Sequence, residues 1–345
     1  MFNNLCKTDL EHIYNHTQEI FKEISNKRIF ATGCTGFFGI WLIESFLYIN
    51  RKMKLNSQMT ILTRNKENFI SSQSHLTNFT ELDFVEGDIC TFEFPKSKYE
   101  YIIHGAAEVN NNTGSAYETI STIVAGTKHI LEFAEQNQTK KLLFISSGAA
   151  YGKQGAYISN VTEESNLAPL TTDSASVYGE AKRLAELLCV LAAKTSPLEI
   201  KIARCFAFIG PYLPLNSRFA IGNFIKDVIE EKNIIIKNNA QILRSYLYSS
   251  DLAIWLWTIL FKGTNCEIYN VGSDKEISLI ELANLILEIS KSNSKVFINS
   301  SQNNLNLVDR YVPSIDKSYN SLNLKPLINL ELAIKKTLDW YKKLD

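Results

Sequence analysis

Three observations predict an α/β protein built on a doubly wound parallel sheet, with a smaller, mixed C-terminal lobe. Short apolar runs alternate with helical patterns as far as Arg204. The first run, Arg28 to Thr32, passes into Gly33, Gly36 and Gly39 at three-residue spacing and then into an apolar helical pattern through Leu42, Phe46 and Leu47. From Gly210-Pro211 onward the alternation becomes irregular. Gly33 allows a sharp turn, Gly36 allows backbone N–H groups to approach a pyrophosphate, and Gly39 allows the helix to pack closely on its strand, so that the helix N-terminus faces the phosphates. A glycine triplet before a helix is by itself as often a plain turn as a cofactor site. The alternation around it favours the cofactor.

Residues 8 to 25 carry apolar positions close to helical spacing, which predicts an amphipathic packing extension over residues 1–26, ahead of the first strand. Met59 to Thr63 reads as the second strand, with Arg64 at its end. An acidic residue there would bind the ribose 2′-hydroxyl of NAD, whereas Arg beside Thr63 suits the 2′-phosphate of NADP, so NADP(H) is favoured over NAD(H). Leu82 to Asp88 is the third strand, and Tyr101 to His104 the fourth. The fourth runs into Gly105, Ala106 and Ala107, small enough for close approach to a cofactor. A helical pattern from Ala116 to Gln136 leads to the fifth strand, Lys141 to Ser147. A polar loop over Asn160 to Ser174, a helix from Val177 to about Ala193 and a sixth strand, Glu199 to Arg204, follow.

Repeated units of this kind give a parallel sheet with helices on both faces and binding at the carboxyl ends of the strands. The expected organisation is a dinucleotide-binding domain over 27–209 and a mainly substrate-binding lobe over 210–345, with segments near 246–275 returning to the first domain. In that lobe the sequence predicts a helix from Ile221 to Glu231, short strands at Ile234 and Tyr246, a surface loop over Asn299 to Asn306 and a closing helix from Asn329 to Tyr341.

At 345 residues the chain can bury a large core. Lys plus Arg and Asp plus Glu both number 36, so no global attraction to nucleic acid or to an anionic membrane is implied. The six cysteines lack paired spacing, which argues against a zinc site and a disulfide scaffold and for reduced thiols in a cytoplasm. No apolar run is long enough to span a membrane, and five dispersed histidines give metal catalysis no support.

Tyr178 and Lys182 stand four residues apart on one helix face. Such a lysine stabilises a phenolate and makes the tyrosine a usable general base or acid for a sugar hydroxyl or ketone. Tyr48 and Lys52 have the same spacing but fall at the far end of the first helix after the glycine turn, away from the strand carboxyl ends, and read as a solvated pair. Tyr178 opens a helix that follows the fifth strand, and Ser147 at the end of that strand can hydrogen-bond the same substrate oxygen. Ser147 alone would more often be a loop hydroxyl; beside Tyr178 and Lys182 it reads as catalytic.

Thr32-Gly33-x-x-Gly36-x-x-Gly39, His104 to Ala107, Ser147 four residues before Tyr151-Gly152, Tyr178-x-x-x-Lys182, Arg204 to Pro211 and Arg244 to Asp251 together resemble the extended short-chain dehydrogenase/reductases that modify nucleotide sugars. The matches run in order over about residues 28 to 315. The resemblance implies a Rossmann domain that holds a dinucleotide through Gly33, Thr35, Gly36, Phe37, Phe38, Gly39, Arg64, Asp88, Ile89, Ala106, Ala107, Tyr178 and Lys182. It also implies a Ser147/Tyr178/Lys182 centre that passes a hydride between nicotinamide and a sugar carbon. Asn223, Arg244 and Arg310 would hold the sugar and the diphosphate, with Ser147 also touching substrate. Each arginine alone would as often be an ordinary surface or ion-pair residue. A homodimer is the expected assembly.

Departures narrow the chemistry. Sugar 4,6-dehydratases of the family carry Asp-Glu just after the catalytic hydroxyl, where this chain has Gly148 and Ala149, and decarboxylating relatives tend to carry an acid at the place of Ala149. Ile123 and Ala207 replace two asparagines of the pattern. A 4-epimerase or 4-ketoreductase is therefore expected, with a 4,6-dehydratase as the alternative if Glu108 or Asp173 reaches the site from a loop. From other classes, a phosphate-loop NTPase read from Gly148 to Lys153 fails on spacing and on Gln154. A non-catalytic dinucleotide sensor keeps the fold but leaves the Ser/Tyr/Lys set without a task.

Overall fold

Six parallel strands, with helices in four of their five connections, and one further edge strand form the sheet that the alternation predicts. The computed structural model describes residues 5–76, 79–106, 115–155, 157–217, 219–236, 242–299 and 308–343. Helix α1 (Lys7–Phe21) precedes β1 (Arg28–Thr32), α2 (Phe37–Met53), β2 (Gln58–Thr63), α3 (Lys66–Ser72), β3 (Leu82–Glu86), β4 (Tyr101–His104), α4 (Ala116–Asn137), β5 (Lys141–Ser147), α5 (Val177–Thr195) and β6 (Glu199–Cys205). The strand order β3-β2-β1-β4-β5-β6 ends at the edge strand Ile268–Val271 beside β6. The order reverses between β1 and β4, paired in parallel with Thr32 opposite His104. Sheets of this kind bind ligands at such a switch point, outside the strand carboxyl ends.

The chain divides into two units. One comprises residues 1–152, 168–205 and 253–269, the other 153–167, 206–252 and 270–345. In the first, β1 and β5 are buried along almost their whole length, as strands covered on both faces must be. Phe30 of β1 packs among Phe92, Tyr99 and Phe133 at ring-centroid separations of 5.5, 5.2 and 4.8 Å. Asp9, Ile13, Thr17 and Phe21 recur every four residues along the buried face of α1. Ser115 and Glu118 form a reciprocal capping box that starts α4, a device worth about 1 kcal/mol.

The Tyr48–Lys52 pair is not simply solvated. Tyr48 donates to Glu11, Lys52 pairs with the same carboxylate, and the Lys52 ammonium stands 4.0 Å from the centre of the Tyr14 ring. Burial, followed by Glu11, pushes the Tyr48 phenol up, the wrong direction for a base. This pair ties α1 to α2.

The second unit holds three small sheets. Ile242–Arg244 lies between Ile277–Ser278, antiparallel, and Asp309–Tyr311, parallel; Ile234–Ile236 pairs with Val296–Ile298, and Phe208–Ile209 with Leu247–Tyr248. Tyr246 is therefore between strands rather than in one. Helices Ala220–Ile229, Leu279–Ser290, Asp316–Leu322 and Leu330–Tyr341 complete the unit, and Asn329 caps the last of them. Of the expected loop at 299–306, all but Asn299 falls outside the described residues. Among the described residues no helix is long and apolar enough to cross a membrane.

Candidate active site

The turn after β1 has the shape its glycines suggest. Gly33 adopts a φ of +72°, and a Cβ there would lie 2.4 Å from the Gly105 carbonyl carbon and 2.5 Å from the Ala106 nitrogen, so the turn lies directly against the end of β4. A Cβ on Gly39 would lie 2.1 Å from the Cys34 Cα; α2 begins as tightly as backbone allows. A Cβ on Gly36 would meet nothing within 4 Å. Gly36 is the N-cap of α2, supplies no side-chain cap, and is followed by no acid in the first turn. Thr35 beside it is exposed, and Phe37 and Phe38 are half-buried. A helix N-terminus with no side-chain cap and open space beside its N-cap glycine fits a diphosphate.

Around that turn, Arg64 is exposed at the end of β2, next to Asn65, which caps α3. Asp88 is exposed just past β3, and its Oδ1 accepts from the Cys90 N–H at 2.8 Å. Ile89 is buried, and a Cβ on Gly126 would lie 2.9 Å from its Cγ1. The Ala106 N–H donates to Thr32 Oγ1 at 3.3 Å. Ala107 and Glu108 lie outside the described residues. His104, fully buried, bridges Thr32 Oγ1 at 2.8 Å and Thr127 Oγ1 at 3.0 Å. Burial, and after it the charge of Lys182, brings this imidazole down to about 3, so it is neutral and structural at ordinary pH.

Ser147, Tyr178 and Lys182 come together within the first unit. Ser147 ends β5 and caps the 3-10 turn Gly148–Tyr151, its Oγ accepting from the Ala149 N–H at 3.2 Å. Tyr178 sits half-buried in the first turn of α5. Helix α5 is pressed onto the strand end, because a Cβ on Gly179 would lie 2.4 Å from the Ala149 carbonyl oxygen. Lys182 is buried one turn on. Its ammonium donates to the Ile145 carbonyl at 2.8 Å and stands 4.8 Å from the centre of the Phe144 ring and 6.0 Å from that of Tyr178. Burial lowers Lys182 to about 8, against the upward pull of Cys205, Glu186 and Cys189.

Sequence reading missed a polar group behind this set. Glu186 lies one turn beyond Lys182; it accepts from Ser146 Oγ and takes a two-pronged contact from Arg204, Nε to Oε1 at 2.9 Å and a terminal nitrogen to Oε2 at 2.6 Å. The guanidinium also stands 4.3 Å from the centre of the Tyr151 ring. The available signal was a carboxylate four residues after Lys182 on a helix face otherwise buried.

The predicted substrate residues lie in the second unit. Asn223 donates to the Ser217 carbonyl at 2.9 Å. Arg244 and Arg310 occupy neighbouring strands of one sheet, paired with Asp309 at 3.0 Å and Glu276 at 2.9 Å. Both arginine side chains retain solvent contact, 25% and 20%, as do the carboxylates.

A profile of the NAD dependent epimerase/dehydratase family matches residues 29–272. A UDP-glucuronic acid decarboxylase 1 of Xenopus tropicalis is 24% identical over 94% of this chain and 74% of its own length. A dTDP-D-glucose 4,6-dehydratase of Homo sapiens is 26% identical over 92% of the chain and 90% of its own. A crystal structure of a UDP-glucuronic acid 4-epimerase from Bacillus cereus, in complex with NAD, superimposes with a TM-score of 0.77 at 20% identity, covering 92% of this chain and 99% of that one.

Proposed function

The chain belongs to the NAD dependent epimerase/dehydratase family, and from that premise we propose that it modifies a nucleotide-diphosphate sugar as a 4-epimerase or 4-ketoreductase. The turn Gly33–Gly39 would hold a nicotinamide dinucleotide, which would supply hydride exchange at the sugar C4. The protein's own part is proton transfer. Tyr178 exchanges the proton of the C4 hydroxyl, Lys182 stabilises its phenolate, and Ser147 hydrogen-bonds the same oxygen. Support comes from the convergence of the three side chains where β5 ends and α5 begins.

The reaction type rests on the turn after Ser147. Elimination of water needs an acid for the leaving oxygen and a base for the C5 proton, and Gly148 and Ala149 can supply neither. Asp173, the other described candidate, accepts from the Ala175 N–H at 2.9 Å and caps a 3-10 turn. Dehydratase and decarboxylase relatives notwithstanding, C4 chemistry asks only for Ser147, Tyr178 and Lys182.

Arg244 and Arg310 fit the diphosphate, and Asn223 the sugar or its phosphate. Half-exposed ion pairs are worth about 0–1 kcal/mol, so Asp309 and Glu276 are easily exchanged for a ligand that accepts two-pronged contacts. The exposed guanidinium of Arg64, placed where a ribose-binding acid would stand, supports NADP(H) over NAD(H). The charge-assisted contact, about 1.5–3 kcal/mol, predicts at least roughly tenfold tighter binding of NADP(H). Incubation with a panel of nucleotide hexoses and their 4-keto-6-deoxy derivatives, with either cofactor, is expected to give products of unchanged mass or with two hydrogens gained, and faster with NADP(H) if the cofactor is consumed. Loss of water would overturn the choice, and equal cofactor affinities the NADP(H) assignment.

The assembly is a homodimer built on α4 and α5, which pack together and expose Tyr117, Ile120, Leu184, Leu187 and Leu191. Leu187→Glu is expected to convert dimer to monomer in analytical ultracentrifugation; a wild-type monomer would refute this. All six cysteines are free, which suits a cytoplasmic setting.

A further inference from the structure

Glu186 and Arg204 form the one bidentate ion pair buried beneath the proposed catalytic set among the described residues, at 4% and 7% exposure. A pair of this kind is costly to desolvate and adds little net stability, and apolar residues of like volume commonly serve as well. Its position suggests what it does. Three successive residues of β5 are tied to α5: the Ile145 carbonyl by Lys182, the Ser146 hydroxyl by Glu186, and the turn capped by Ser147 by the close approach of Gly179. Arg204 of β6 fixes the Glu186 carboxylate in turn. We propose that Glu186, oriented by Arg204, is a positioning residue that holds Lys182 charged and aligned beneath Tyr178; this rests on the Tyr178/Lys182 reading above.

Groups facing Lys182 support the assignment. Helix α5 contributes Tyr178, Glu186 and Cys189, β6 contributes Cys205, β4 contributes neutral His104, and β5 contributes the Ile145 carbonyl and the face of Phe144. Both thiols are held up by burial, so they stay neutral. Glu186 is then the sole anion in that set. Without it, burial would act on Lys182 against less opposition, and the ammonium would lose its proton at lower pH. A neutral Lys182 no longer stabilises a phenolate.

The test reads Tyr178 ionisation without substrate, from ultraviolet phenolate absorbance, by subtracting Tyr178→Phe in each background. Backgrounds are wild type, Glu186→Gln, and the apolar double variant Glu186→Leu/Arg204→Met. The double variant removes both partners of the pair, so that neither Glu186 nor Arg204 is left as a lone buried charge, and it stays informative if Glu186→Gln fails to fold; thermal melts establish which variants are folded. The Tyr178 step is expected to move up by about one pH unit or more in Glu186→Gln, and by less in the double variant, which also lacks the opposing Arg204 charge. A folded double variant with its Tyr178 step at the wild-type position would overturn the proposal and leave the pair purely structural. A wild-type step already at the pH of an ordinary phenol would instead overturn the Tyr178/Lys182 reading itself, and this inference with it.

Discussion

Tyr178→Phe is expected to slow turnover by about 10²- to 10⁴-fold, the usual contribution of a positioned acid or base, while dinucleotide affinity stays at its wild-type level. The substitution removes one oxygen and keeps the ring, so α5 keeps its seat on the turn Gly148–Tyr151, where Gly179 rather than Tyr178 makes the close approach. Lys182 keeps its contact to the Ile145 carbonyl. Single-turnover absorbance of the reduced nicotinamide, with an active sugar from the panel, measures the loss. Wild-type turnover would refute the assignment. Tyr48→Phe is the matched control, because it shares the i, i+4 lysine yet donates to Glu11 on α1. It should lower stability modestly and leave turnover alone.

The contrast between those two pairs shows how the site was legible. Spacing could not separate them; placement relative to the strand carboxyl ends could. Strands β1, β2, β4, β5 and β6 were readable because strands buried on both faces are short, largely apolar runs, β3 because apolar Leu82, Phe84 and Val85 stand out at the half-exposed sheet edge, and the glycines marked the first crossover. Helix Ser249–Lys262 was not, since from Leu252 to Phe261 nearly every position is buried and no polar face gives a period. Of the strands of two or three residues in the second unit, the one at Ile234 was read, but most carry too little pattern to register, as Tyr246 illustrates. Glu186 and Arg204 escaped for another reason: their significance lies in a contact between α5 and β6 that no local pattern encodes.

Gly36→Asp is expected to leave the fold at least as stable as wild type and to weaken binding of NAD(H) and NADP(H) by about 100-fold or more. The two effects have opposite signs because one carboxylate acts on one group of donors. Gly36 has φ −99° and ψ −172°, ordinary extended backbone for an N-cap, and open space where its Cβ would go. Aspartate is among the best N-cap residues and carries the charge that a helix N-terminus favours, together worth some tenths of a kcal/mol over glycine. That same carboxylate fills the cradle, takes the N–H groups and repels the diphosphate; a hundredfold loss corresponds to about 2.7 kcal/mol. Gly39→Ala would not discriminate, because its Cβ meets the Cys34 backbone at 2.1 Å and the turn itself must deform. Gly33→Ala fails likewise, at a φ of +72° and 2.4 Å from Gly105. Fluorescence titration with the reduced dinucleotides, beside a thermal melt, separates the two quantities. A Gly36→Asp protein that binds dinucleotide as tightly as wild type would remove the phosphates from this turn, and with them the placement of the nicotinamide at Tyr178.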